Sequence, residues 1–365
     1  MIGFRVAAFL AGFALVGWTV LSAVRTFVLP RAAPVSLTRI VFVSSRWVFG
    51  LVIGRFREFA SKDRLMALYA PLTLLLLPSV WLILVGAGYA AMFWGLGART
   101  IRDAIDYSGS SLFTLGFARP PGFASHLLSF TAAGLGIALL ALLITYLPSI
   151  YAAFSRREQM VAKLEVRAGD PPTAVGMILR LHWIRWVEDY DELWPEWENW
   201  FVDLTETHTS LASLPFFRSP QPSHHWVVAA GTILDSASLA SAVLDRPIMP
   251  RAHLCIRAGY IALRSVCDFF GIHYPHDPKP TDPISISRQE FDEAWDALWA
   301  AGVPLKQDRE QAWRDFSGWR VNYDAPLLAL AALTMAPSAP WSSDRASEYR
   351  RPRLARPRPP GRNRG

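Results

Sequence analysis

Three stretches of this 365-residue chain contain no Asp, Glu, Lys or Arg: residues 6–24, 65–98 and 120–155. Nothing else in the sequence narrows the possible folds as far. At about 1.5 Å of rise per residue, ~20 apolar helical residues cross the ~30 Å hydrocarbon core of a bilayer. Inside that core each backbone amide needs a partner within the protein, and for isolated runs the helix supplies it. Three transmembrane helices are therefore predicted. Residues 6–24 have the position of a signal peptide, but Ser22-Ala23-Val24 leads straight into Arg25 after a long apolar stretch, so they read as an uncleaved anchor.

The formal net charge of +7 is unevenly spread. Residues 345–365 hold eight arginines against one glutamate, residues 25–64 hold eight basic against two acidic, and residues 156–344 hold 17 basic against 25 acidic. An acidic body argues against nucleic acid as a partner, whereas the basic linker and tail suit anionic lipid. Basic residues favour the cytoplasmic side. With Arg25–Arg64 and Arg156, Arg157 and Lys163 placed there, the N-terminus and residues 99–120 fall outside and the C-terminal half inside. The expectation is a multi-pass protein of the plasma (inner) membrane. Residues 37–60 mix apolar side chains with Arg39, Arg46, Arg55, Arg57 and Trp47, as a helix lying in the headgroup layer would. A fourth span is the alternative.

Between the second and third runs stands YSGSSLFTLGFA, residues 107–118. It is too polar for a span and too apolar for an ordinary loop. A short helix from Asp103 to Leu112 followed by an extended return over residues 114–118 would make a re-entrant hairpin. Non-helical backbone at membrane depth is tolerated only when buried in protein or lining a water-filled cavity.

This stretch resembles the pore-loop potassium channel family, in which each chain brings an outer helix, a pore loop and an inner helix. The family's filter reads Thr-x-x-Thr-x-Gly-(Tyr or Phe)-Gly-Asp; here Ser111-Leu112-Phe113-Thr114-Leu115-Gly116-Phe117-Ala118-Arg119 stands in register with it. The resemblance covers residues 65–158. It implies a selectivity filter of Thr114, Leu115, Gly116, Phe117 and Ala118, whose carbonyls take a dehydrated monovalent cation, K+ in the family. It also implies a pore helix with Tyr107 and a bracing Ser111 hydroxyl, an inner-helix hinge at Gly134 and Gly136, and a homotetramer around the pore. Ala118 replaces the family's last filter glycine, and Arg119 replaces the acid at the outer mouth. Small residues for close helix packing account for Gly134 and Gly136 equally well.

From Arg156 onward the pattern is helical. Trp183, Trp186, Tyr190, Trp194, Trp197, Phe201 and Leu204 recur at three- and four-residue steps among acidic residues. Helices are expected at 226–244, 251–270 and 287–301, and one or two more over 309–335. Residues 203–226 read as a long Ser/Thr/Pro-rich connection, in which Arg218, Ser219 and His224 form a candidate phosphate site. His273 and His276 lack the partners a metal needs, and Cys255 and Cys267 read as reduced, buried thiols. No Walker loop, dinucleotide fingerprint, nucleophile elbow or zincin motif is present, so no enzyme, cofactor or bound metal is expected.

The expected fold is thus all-α: an anchor and basic linker (1–64), a pore-loop domain (65–155), an α-helical cytoplasmic domain (156–336) and a disordered Arg/Pro-rich tail (337–365). A tetrameric cation channel is the leading functional reading. A non-conducting scaffold or sensor that keeps the channel-derived fold is the alternative.

Overall fold

The computed structural model describes residues 2–27, 37, 40–41, 44–45, 48–49, 51, 59–184, 190–219, 221 and 224–346. Arg39, Arg46, Arg55, Arg57 and Trp47 of the expected headgroup helix, Trp186, and the tail after Ala346 lie outside them. Among the described residues the chain is all-α, with eleven α-helices and no strand. It divides into two compact units, Met1–Ala153 with Ser210–Phe217, and Phe154–Thr209 with Arg218–Gly365.

The first unit holds α1 (Ile2–Phe27), α2 (Phe59–Gly95), α3 (Ile101–Leu112) and the start of α4 (Phe123–Ala168). α1 and α2 meet backbone to backbone. A Cβ on Gly12 would collide with the Gly88 carbonyl, and one on Gly95 would lie 2.7 Å from the Arg5 carbonyl oxygen. Small residues permit this approach, which is how apolar helices gain packing contact where water gives no drive. Along α2, Leu77, Trp81, Val85, Tyr89 and Phe93 fall every fourth residue and form one buried face with Ala104 and Leu112 of α3 and Leu128, Ala132 and Leu139 of α4. The other faces are just as apolar but exposed: Leu72, Leu75, Leu76 and Ile83 on α2, and Phe130, Ile137, Leu140 and Ile144 on α4. A helix apolar all round belongs in lipid or inside protein.

The second unit holds the end of α4, α5 (Ala174–Trp183), α6 (Trp194–Ser210), α7 (Trp226–Val243), α8 (Pro250–Phe270), α9 (Arg288–Ala300), α10 (Arg309–Arg320) and α11 (Asp324–Thr334). α7 runs through its centre, packed by α5, α8, α10 and α11. Four described helices, α1, α2 from Pro71, α4 and α7, are long and apolar enough to cross a membrane, which suggests a multi-pass membrane protein. α7 differs in kind from the others, because 94% of it is buried within the protein against 22% for α4. Its apolarity is that of a core helix.

That core contains charge. Asp235 of α7 accepts hydrogen bonds from the Arg320 guanidinium and, at 2.9 Å, from the Tyr323 hydroxyl. Arg320 also donates to Asp324 at 2.8 Å and to the Trp341 carbonyl at 2.7 Å. Burial opposes the guanidinium charge, but Asp235 and Asp324 outweigh it and raise Arg320 above its ordinary value. The Trp341 bond revises the expected tail boundary. Residues 337–346 pack onto the unit, with Ala339, Ser342 and Ser343 buried and Trp341 against Phe316. A carbonyl held by a remote, buried arginine leaves no local sequence signal. Cys255 and Cys267 are free and buried, as read from the sequence.

Removing one partner of a buried pair strands the other charge. Arg320→Met is expected to destabilise the second unit by about 3–5 kcal/mol, and pairing it with Asp235→Leu to recover most of that loss. Chemical denaturation in detergent, followed by Trp fluorescence, checks this.

Candidate functional site

Thr100 starts the hairpin. It is extended (φ −126°, ψ 162°), and its Oγ1 accepts the Asp103 N–H at 3.0 Å while Asp103 Oδ2 accepts the Thr100 N–H at 3.0 Å. This reciprocal cap fixes where α3 begins. α3 then seats on α2 through Ser108, whose hydroxyl donates to the Gly86 carbonyl at 2.7 Å, and through Tyr107, edge-on to Phe93 at 5.9 Å. Its last residue, Leu112, sits against α4 at Gly136, where a Cβ would collide with the Leu112 carbonyl. α4 is continuous through Gly134 and Gly136; Gly136 is a point of close approach, and Gly134 faces open space.

After α3 the chain turns at Phe113 and Thr114 and runs on through residues 115–120 in neither helix nor strand, with Thr114 and Gly116 in the left-handed region where an extended return was expected, and one residue receives it. The Ser110 carbonyl accepts the N–H groups of Leu115 at 2.8 Å and Gly116 at 3.3 Å, and the Ser110 hydroxyl accepts that of Ala118 at 3.0 Å. The Thr114 N–H goes to the Ser111 carbonyl at 3.0 Å. Among the described residues no hydrogen bond is accepted by the carbonyls of Thr114, Leu115, Gly116 or Phe117. The N–H groups of Thr114, Leu115, Gly116 and Ala118 are thus tied back to α3, while the carbonyls of Thr114–Phe117 stay open. Gly116 takes the left-handed φ of +72°, and Thr114 takes +56°. For a β-branched residue that costs about 1–2 kcal/mol, a strain the Ser110 contacts must hold.

The two departures from the family pattern sit easily in this geometry. Ala118 is not among the positive-φ positions, so its methyl meets no backbone penalty. Arg119 is exposed just beyond it, ahead of buried Pro120. Leu115 and Phe117 expose 65% and 66% of their surface, a large apolar exposure for a segment this short. The hydroxyl that binds the return is that of Ser110. The run Ser108-Gly109-Ser110-Ser111 was a signal, being poor helix formers with short side chains at the end of a helix, but the register of the return chooses among them.

The expected connection at 203–226 is helical up to Ser210 and again over Leu214–Phe216. α6 continues to Ser210, and Arg218, expected to hold phosphate, instead donates to the carbonyls of Thr334 at 3.0 Å and Met335 at 2.6 Å at the end of α11. His224 pairs with Glu165 at 2.9 Å. His208 is buried between Arg157, 3.5 Å away, and the Trp226 ring, 4.7 Å away; His225 caps α7 by accepting the Val227 N–H at 3.2 Å. Burial first, then Arg157, holds His208 well below its ordinary value; burial, then Arg218 and Arg157, does the same to His225. Among the described residues no three His, Cys, Asp or Glu side chains are grouped to hold a metal.

No family model, curated protein or solved structure matches this chain.

Two outcomes follow from this geometry. Ser110→Ala removes the acceptor for the Ala118 N–H, and is expected to speed amide exchange in peptides spanning residues 113–120 by about tenfold, with α3 unchanged. Hydrogen exchange with mass spectrometry reads this. The histidines set an acid limit. Their folded values lie below the unfolded ~6.5, so the unfolded chain binds protons that the folded one refuses. Stability is full above pH ~6.5 and falls below it by up to about 1.4 kcal/mol per pH unit per histidine. His208→Gln should flatten that slope in pH-dependent melts.

Proposed function

We propose that this chain is one subunit of a pore-loop cation channel. α1, α2 and the apolar part of α4 cross the bilayer, α3 and residues 113–119 form the re-entrant pore loop, and the second unit is a cytoplasmic domain able to modulate gating. The observation that carries this reading is the hydrogen-bond asymmetry of the return: Ser110 takes the N–H groups of Leu115, Gly116 and Ala118, and the carbonyls of Thr114–Phe117 are left for a dehydrated cation. One hairpin cannot enclose a pore. Four copies around an axis would, and would also cover Leu115 and Phe117. The basic linker and tail suit anionic lipid on the inner face.

Buried α7 stays out of the count of spans, which keeps both basic segments on one side of the membrane. Arg119, exposed at the outer end of the hairpin, places positive charge where cations would arrive. It is the observation on the side of a second reading, a non-conducting scaffold or sensor.

Potassium uptake into liposomes that hold the purified protein decides between them. The channel reading expects flux in the wild type, loss of flux in Gly116→Asp, and a several-fold rise in Arg119→Glu as mouth repulsion becomes attraction. A folded protein passing no cation in any of the three forms supports the scaffold.

A further inference from the structure

The outward face of α8 does not match the acidic unit that carries it. Arg251, Leu254, Arg257 and Ile261 are all exposed and recur at three- and four-residue steps, so they form one stripe along the helix. Ile248, two residues before α8, is 82% exposed. The opposite face, with Cys255, Ile256, Leu263 and Val266, is buried, and Gly259 lets the helix press against Leu234 and Phe201. The stripe is therefore carried on a rigid support. The one acidic residue of α8, Asp268, stands at its far end, and Asp191 beside its start is engaged by the Ala252 N–H at 3.2 Å.

Aliphatic side chains alternating with arginine on one helix face are the composition of a helix that rests on lipid. The guanidinium groups meet anionic headgroups, and the aliphatic groups sink beneath them. A chain with apolar spans carries its bilayer with it, so the encounter is intramolecular and a small face is enough. We propose that the stripe of Arg251, Leu254, Arg257 and Ile261, with Ile248 before it, docks the helical unit on the anionic surface of the membrane that its apolar helices occupy. This rests on the multi-pass reading and is independent of conduction.

The test uses the full chain in nanodiscs of phosphatidylcholine, alone or with phosphatidylglycerol, with a nitroxide on Leu254→Cys. Burial raises the Cys255 and Cys267 thiols above their ordinary value, so the new cysteine labels selectively. Docking predicts that phosphatidylglycerol increases relaxation of the nitroxide by oxygen and decreases relaxation by a water-soluble nickel complex. Arg251→Glu with Arg257→Glu should abolish that difference, each reversal weakening docking about fivefold or more. Both arginines are exposed, and circular dichroism confirms that the variant is folded. Equal nickel access in the two lipids overturns the proposal. So does a label shielded from both reagents, which means that a second copy or another protein covers the stripe.

Discussion

A backbone N–H with no partner is costly anywhere that water is scarce, and the hairpin between α2 and α4 meets that cost at a single residue. Ser110 accepts three amides of the returning segment, two through its carbonyl and one through its hydroxyl. The contacts along α3 position Ser110. The Thr100–Asp103 cap fixes the start of α3, Ser108 fixes its height on α2, and Gly136 lets its C-terminal end lie against α4. The positive φ of Thr114 is tolerable only on such a support. With the N–H groups of Leu115, Gly116 and Ala118 taken up, the segment presents acceptors.

The second unit addresses the same physical problem with charge. α7 is apolar enough to be taken for a span, yet it carries Asp235, which Arg320 and Tyr323 satisfy inside the core. Hydropathy cannot separate a helix buried in lipid from one buried in protein; the partners of its polar residues can.

Much of the fold was legible. The uncharged runs at 6–24, 65–98 and 120–155 mark α1, α2 and α4, and the expected helices at 226–244, 251–270 and 287–301 fall within a residue of α7, α8 and α9. α6 was misjudged at its end because Thr205, Thr207 and Thr209 look like loop residues. Their hydroxyls bond back to the carbonyls of Phe201, Asp203 and Thr205, which lets a helix carry them. The short helix of the hairpin was readable from residues 103–112; the turn and left-handed backbone at Thr114 and Gly116 were not. Close packing at Gly136 was one of the two readings open for that glycine, whereas the role of Ser110 and the anchoring of residues 337–346 by Arg320 were not legible, since each depends on register or on a residue distant in the chain.

The most direct test is carbonyl 13C solid-state NMR of the protein in lipid, labelled at Leu115, Gly116 and Phe117, with choline exchanged for potassium. Carbonyls that replace an ion's hydration shell must shift when the ion arrives, whether the pore is open or closed. The account predicts potassium-dependent shifts at these three positions and none at the helical carbonyls of α3. Spectra identical in the two salts would contradict it.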